Sequence, residues 1–430
     1  MNYNEALKYI KEKEKKGSVF GLDVIKELLS RLGNPEIGIP AVHIAGTNGK
    51  GSIMSFVEEA LIMDGMNVGR YISPTIYDYR ERWSHNKVWS SEEDVAEVLS
   101  IVIAAAEEME KDGVGSPTAF EIETAAAFVL FKKWNCDIML IECGMGGKMD
   151  ATNVIEDNVI NVLASISRDH MQVLGETIED ITCEKLGITR KGSVLISYPQ
   201  VKEAASVIKD YSDKNEIKLS MVDESAIKIL SEGIDGSKFE YQGINSKNAI
   251  ASYEIGLGGR YQIYNAVTAI EVLRAIRENF CGGGHLEEDL IAKALKNTKW
   301  DGRFQILRRS PDVIVDGAHN EDAWKRLAES LEQYYPGQKL VFVIGVLADK
   351  EYMKMIDILK PVIKKVYAIQ SDSPRALSSV TLAEEMNKKD IEAVALEKIS
   401  DILDVVTEKE NNYVICGSLS MSGDVIELLK

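Results

Sequence analysis

Short apolar runs alternate with helix-period patterns along most of the chain, which is the signature of a parallel sheet covered by helices. The first run, IPAVHIA at 39–45, leads into a glycine-rich turn and then an apolar-periodic helix over 52–64. NVGRYI at 67–72 reads as the next strand. Ser91 and the three acids after it predict a helix N-terminus, because a hydroxyl cap and negative charge both favour that end; the helix runs to 111. Thr118 and Glu121 have capping-box spacing at the head of a helix over 118–134. DIMLIE at 137–142 is apolar enough for a strand buried on both faces, and 159–166 and 194–197 continue the sheet. Between 217 and 259 the pattern changes. KFEYQG, NAIASYEIGL and several glycines predict antiparallel strands or an edge insertion. A helix opened by Asn265 is expected over 265–278, then a loop at CGGGH, 281–285. From 297–301 onward a second alternating series begins, with strands at 312–316, 339–346, 365–370 and 413–416. The expectation is an α/β chain of two domains, 1–297 and 298–430.

Composition narrows the partners. The 430 residues carry 50 basic and 68 acidic side chains, a net charge of −18. That field repels phosphate backbones, so no nucleic acid is expected as partner. It also means that an anionic substrate must meet locally placed cations, helix N-termini or metal ions. The 5 cysteines form no CxxC pair, which argues against a disulfide framework or a cysteine zinc site and fits a reducing, cytoplasmic setting. The charged opening MNYNEALKYIKEKEKK has no apolar core of a signal peptide, and no run reaches membrane-spanning length, so no membrane association is expected.

The strongest local signal is HIAGTNGKGS at 43–52. A strand ends, glycines turn the chain and a helix begins, so backbone N–H groups can converge on an anion at a helix N-terminus. Lys50 can reach terminal phosphates and the Ser52 hydroxyl can ligate Mg²⁺. The spacing is not that of a standard Walker A loop: position 44 is Ile, and Gly51 separates Lys50 from Ser52. ECGMGGKMDATN at 142–153 puts Glu142 at the end of a buried strand, where doubly wound sheets bind ligands and where a carboxylate suits Mg²⁺. ISRDH places His170 after a similar strand end, though a lone histidine is more often a structural hydrogen-bonder. A lone lysine in a helix, such as Lys185, is ordinarily a solvated charge. Asn265, Arg303, Asp316 and His319 flank the expected domain junction, and clefts between domains commonly hold substrates.

Taken in order, Asn34-Pro35, HIAGTNGKGS, YISP, TAFE, ECGMGGKMDATN, ISRDH, LGET, EKLGI, GGRYQIYNA, DGRF and DGAHN resemble the folylpolyglutamate synthase/dihydrofolate synthase family of the Mur ligase superfamily. The resemblance implies a P-loop-containing, mostly parallel sheet domain joined to a smaller Rossmann-like C-terminal α/β domain. It implies ATP-dependent amide formation: a substrate carboxylate takes the γ-phosphoryl group of ATP, and the α-amine of L-glutamate displaces phosphate from the acyl phosphate. The implied acceptor is tetrahydrofolate, with dihydropteroate as a second acceptor in a bifunctional form, and the implied state is a monomer. By the same resemblance Gly46, Thr47, Asn48, Gly49, Lys50, Gly51 and Ser52 bind the ATP phosphates, and Asn265, Arg303 and Asp316 contact the nucleotide. Ser52, Ser73, Glu142 and His170 take metal positions. Lys185, in family members often a carbamate, is implied with Lys50 and His319 in catalysis. Thr118, Ala119, Phe120, Glu121, Met149, Asp150 and Ala151 match the pterin-binding loops. Thr75 stands where members usually have His, and Lys148 where they usually have Arg, which loses the planar fork. Two rival readings are a Mur-type ligase with another carboxylate acceptor and a nucleotide-binding regulator without ligase activity. The regulator would have no use for Glu142, His170, Lys185 and His319 together.

Overall fold

A computed structural model describes the chain except for residues 16, 18–20, 157–158, 245–249, 281–285 and 430. The glycine-rich loop expected at 281–285 lies outside the described residues. An eight-stranded sheet is built from β1 (Ala41–Ala45), β2 (Val68–Tyr71), β3 (Trp83–His85), β4 (Val88–Trp89), β5 (Ile138–Glu142), β6 (Val159–Leu163), β7 (Val194–Ser197) and β8 (Lys218–Met221). Its order is β4-β3-β2-β5-β1-β6-β7-β8. Along that order the pairings from β2 through β8 are parallel, and the two at the other edge, β2–β3 and β3–β4, are antiparallel.

The insertion expected after 217 divides in two. Residues Lys218–Met221 join the large sheet, while β9 (Ile227–Gly233), β10 (Gly236–Gln242) and β11 (Ile250–Ile255) form a separate antiparallel sheet. A six-stranded sheet follows: β12 (Gln305–Arg308), β13 (Val313–Val315), β14 (Leu340–Ile344), β15 (Ile363–Ala368), β16 (Ala393–Ala395) and β17 (Tyr413–Cys416), in the order β12-β13-β17-β14-β15-β16. The last helix packed on the first sheet, Glu288–Asn297, ends just before this second sheet begins.

Helices cover both faces of the first sheet. Lys50–Met63 and Arg260–Asn279 pack on one face, and Glu92–Lys111 and Ala119–Lys133 on the other. The helix Lys50–Met63 is buried nearly all round, so its axis is fixed by packing on every side. Its only buried charge near mid-length, Glu58, pairs with buried Arg70 at 2.9 Å. It starts at Lys50, two residues before the expected Ser52. The helix expected to open at Asn265 instead starts at Arg260, after Gly259 in the left-handed region (φ 97°). Asn265 therefore lies inside the helix, buried, with its side chain against the turn at Gly49.

Candidate active site

Parallel pairing brings strand ends together. β2, β5, β1 and β6 are neighbours running the same way, so Ser73, Glu142, Gly46 and Ser165 all emerge at one edge. The ends of β13 and β17 in the second sheet emerge as Asp316–His319 and Gly417–Leu419. Ser73, Glu142, Gly46 and Ser165 line one cleft with Asp316–His319 and Leu419, together with Arg303, His170, Lys185, Tyr261, Asn265 and Trp300. This is the place where doubly wound parallel sheets offer a ligand site, beyond the carboxyl ends of the strands, here walled by two sheets.

The loop between β1 and the helix Lys50–Met63 is shaped by contact. Gly49 adopts φ 93°, and a Cβ there would lie 2.6 Å from Asn265 Oδ1. A Cβ on Gly51 would lie 2.8 Å from the Trp300 ring. The backbone N–H groups do not all face the cleft. Those of Thr47 and Asn48 donate to the Ser165 carbonyl at 2.7 and 3.2 Å. Residues 49–52 at the helix start are left to present an anion site, a narrower set than the sequence suggested. Lys50 Nζ lies 3.6 Å from Glu142 Oε1 and donates to the Gly46 and Thr47 carbonyls.

Glu142 closes a strand whose five residues are all buried. Burial raises its pKa, and Lys50 and Arg303 oppose that rise. Ser52 Oγ receives a hydrogen bond from Gln262 at 3.2 Å, and Gln262 is held in turn by Asn265. No cluster of three or more His, Cys, Asp or Glu exists among the described residues. A cation here would draw on the Glu142 carboxylate and the Ser52 and Ser73 hydroxyls, with substrate oxygens completing the shell. That hard, sparse oxygen set fits Mg²⁺, which keeps few protein ligands and shares phosphates. His170, in the left-handed region at φ 51°, is the most exposed of the four metal candidates.

Lys185 is not a surface charge. It sits in the last turn of the helix Ile178–Leu186, 4% exposed, and donates to Gly46 O at 3.1 Å. Burial, then the nearby Lys50 cation, lowers its pKa to about 8. Its depth follows from packing: a Cβ on Gly147 would lie 2.9 Å from the Glu184 and Lys185 carbonyls, so the loop after β5 is pressed onto that helix end. His319 Nδ1 lies 2.8 Å from Gly317 O, and burial pushes its pKa down to about 4, so the ring is neutral at pH 7. With Nδ1–H donating to the carbonyl, Nε2 carries the lone pair. Asp316 accepts from the Phe304 and Ala318 backbone N–H groups at 2.8 Å each and from Tyr261.

The residues matched to pterin loops lie elsewhere. Thr118 and Glu121 form the capping box of the helix Ala119–Lys133, with Thr118 N and Oγ1 donating to Glu121 at 2.7 and 2.8 Å. Phe120 packs under Gly144, where a Cβ would lie 2.6 Å from its ring. Asp150 is buried and accepts from Met145 N, Thr152 N and Thr152 Oγ1. Ala119 and Ala151 are buried, and Met149 is exposed. None of the seven lines the cleft, although Phe120 supports a glycine that does. Sequence reasoning did not single out Tyr261, Gln262, Trp300, Arg326 or Leu419. The first two stood inside the quoted stretch GGRYQIYNA, and Trp300 directly before DGRF.

Residues 44–273 match the model of the Mur ligase middle domain, and residues 302–419 that of the Mur ligase glutamate ligase domain. The dihydrofolate synthase/folylpolyglutamate synthase of Bacillus subtilis (strain 168) is 32% identical over 100% of this chain and 99% of its own length. Among solved structures, the folylpolyglutamate synthase of Thermotoga maritima superposes with a TM-score of 0.85 at 32% identity, covering 99% of this chain and 96% of that one. The Mycobacterium tuberculosis folylpolyglutamate synthase complexed with ADP and AMPPCP gives a TM-score of 0.87 at 28% identity, covering 100% and 99%.

Proposed function

Because the chain belongs to the folylpolyglutamate synthase/dihydrofolate synthase family of Mur ligases, we propose that it is an ATP-dependent ligase that adds L-glutamate to tetrahydrofolate. It also joins L-glutamate to dihydropteroate, the second activity named for the Bacillus relative. The observation that carries this reading is the shared cleft. A helix N-terminus with Lys50, a buried strand-end carboxylate in Glu142, and Arg303, Asp316 and His319 from the second half all line it.

A carboxylate is a poor acylating agent, so the site's task is to hold two anions together and neutralise them while the phosphoryl group moves. Residues 49–52 and Lys50 hold the ATP phosphates, and Asn265, Arg303 and Asp316 hold the rest of the nucleotide. Ser52, Ser73, Glu142 and His170 would hold Mg²⁺, which would supply charge neutralisation for the phosphates. The acceptor carboxylate becomes an acyl phosphate, and the glutamate amine displaces phosphate through a tetrahedral intermediate. Lys185 and Lys50 stand beside the transferring group, and neutral His319 lines the γ-phosphate end of the cleft. Residues 118–121, with 149–151 in the loop after β5, bind the pterin end of the acceptor.

The two halves divide as domains 1–297 and 298–430, and the enzyme works as a cytoplasmic monomer. No described helix is long and apolar enough to cross a membrane. Purified protein with ATP, Mg²⁺, L-glutamate and either acceptor should release ADP only when every component is present. No ADP release with any folate or pteroate acceptor would overturn the reading.

A further inference from the structure

We propose that Asn320 is a positioning residue, whose side-chain amide locks the second half of the molecule onto the phosphate loop, so that turnover depends on it more than nucleotide affinity does. The inference rests on the ligase reading above. Asn320 caps the helix Glu321–Tyr334, its Oδ1 accepting from Ala323 N at 3.0 Å. The same amide faces Asn48 of the phosphate loop, and the two exchange hydrogen bonds: Asn48 Nδ2 to Asn320 Oδ1 at 3.1 Å, and Asn320 Nδ2 to Asn48 Oδ1 at 3.0 Å. Asn48 Nδ2 also donates to Asp322 at 2.9 Å. Asn320 Nδ2 reaches Asp169 at 3.2 Å, and Asp169 accepts from Lys350 at 2.8 Å.

A second path closes the circuit. Arg326, one helical turn beyond Asp322, donates to Ser165 Oγ at 2.9 Å and to the Tyr198 hydroxyl at 2.7 Å. The carbonyl of that Ser165 holds the Thr47 and Asn48 N–H groups. The phosphate loop is thus tied through Asn48 and Ser165 to residues at the start of the helix Glu321–Tyr334, beside the anion site at residues 49–52 and along the wall of the same cleft.

Position explains why this matters. Asn320 follows His319 directly, so anchoring its amide on Asn48 fixes where the His319 ring stands relative to Lys50. A pair of side-chain amides exchanging two bonds is directional and admits one register, unlike a surface ion pair. Without it the phosphates still meet Lys50 and the helix start, which belong to the first half. What falls is the fraction of molecules with the second half seated for phosphoryl transfer.

The test is a double-mutant cycle on the full chain with Asn48→Ser, Asn320→Ser and the pair. Serine keeps the helix cap at 320 but is too short to bridge to residue 48. Asn320→Ser should lower kcat roughly 10-fold or more while AMPPCP affinity by calorimetry changes less than about threefold. The double variant should be no slower than the worse single one, because both remove the same contact. Wild-type kcat in Asn320→Ser, or losses that multiply in the double variant, would overturn the inference. Failure of the wild type to bind AMPPCP would strike the ligase reading itself and the inference with it. If circular dichroism shows Asn320→Ser unfolded, Asn48→Ser, which caps no helix, carries the same kcat-against-affinity comparison alone.

Discussion

Two glycine-rich loops leave neighbouring parallel strands at the same edge of the first sheet, yet they are used in opposite ways. The loop after β1, residues 46–49, runs into a helix whose first N–H groups and Lys50 line the cleft. The loop after β5 is filled by its own side chains: Asp150 takes Met145 N–H and Thr152 N–H, and Asn153 binds the Lys148 and Gly187 carbonyls. In the first loop glycine leaves room beside Asn265 and Trp300; in the second it permits close packing on Phe120 and on the helix that carries Lys185. Glycine content marks close approach. Whether the approaching partner is a ligand or the protein itself depends on which donors are already taken.

Breaking the first loop should have the largest effect. Lys50→Ala removes the cation facing Glu142, and turnover measured by ADP release should fall roughly 10²–10³-fold with the fold intact. In the second loop, Gly147→Ala places a methyl against backbone carbonyls of Glu184 and Lys185 that cannot yield without moving the helix end. Lys185 Nζ would leave Gly46 O, and kcat should drop roughly 10–100-fold with a measurable fall in Tm. Asp150→Ala should act on stability first. It strands buried N–H groups, at about 1–3 kcal/mol each, so the urea midpoint should fall while AMPPCP still binds.

The smallest effect is on pH dependence. His319 has a folded pKa near 4, below its ordinary 6.5. The unfolded chain binds that proton first as pH falls, so the stability is intact above 6.5 and is lost as pH drops through 4. His319→Gln should flatten part of this loss between pH 6.5 and 4 in denaturant melts. Burial also holds His43 near 3, so the slope should diminish rather than vanish.

Much of this was legible in the chain because the strands are short, apolar and bounded. β7 and β17 match their expected limits residue for residue, and the Thr118/Glu121 capping box forms as its spacing requires. The cleft was legible as far as strand ends and helix starts could carry it: Lys50, Glu142, His170 and Arg303 do meet around one hollow. What local pattern could not show was tertiary. Nothing near Lys185 says that a neighbouring loop buries it, and nothing near Thr47 or Asn48 says that Ser165 accepts both N–H groups. Asn265 resembled a helix opener because asparagine favours caps, but Gly259 set the start earlier and turned Asn265 toward the phosphate loop. The short strands β12 and β16 and the helices Tyr3–Glu14 and Asp23–Arg31 are too brief or too charged to stand out in the apolar pattern of the chain.

The central claim is that the first loop, and not the second, holds the phosphates. A crystal structure of the protein with AMPPCP and Mg²⁺ tests it most directly. The account predicts phosphate oxygens within hydrogen-bond distance of the backbone N–H groups of 49–52 and of Lys50 Nζ, with Mg²⁺ beside Glu142. Phosphates seated instead on residues 144–148, away from Lys50, would contradict it.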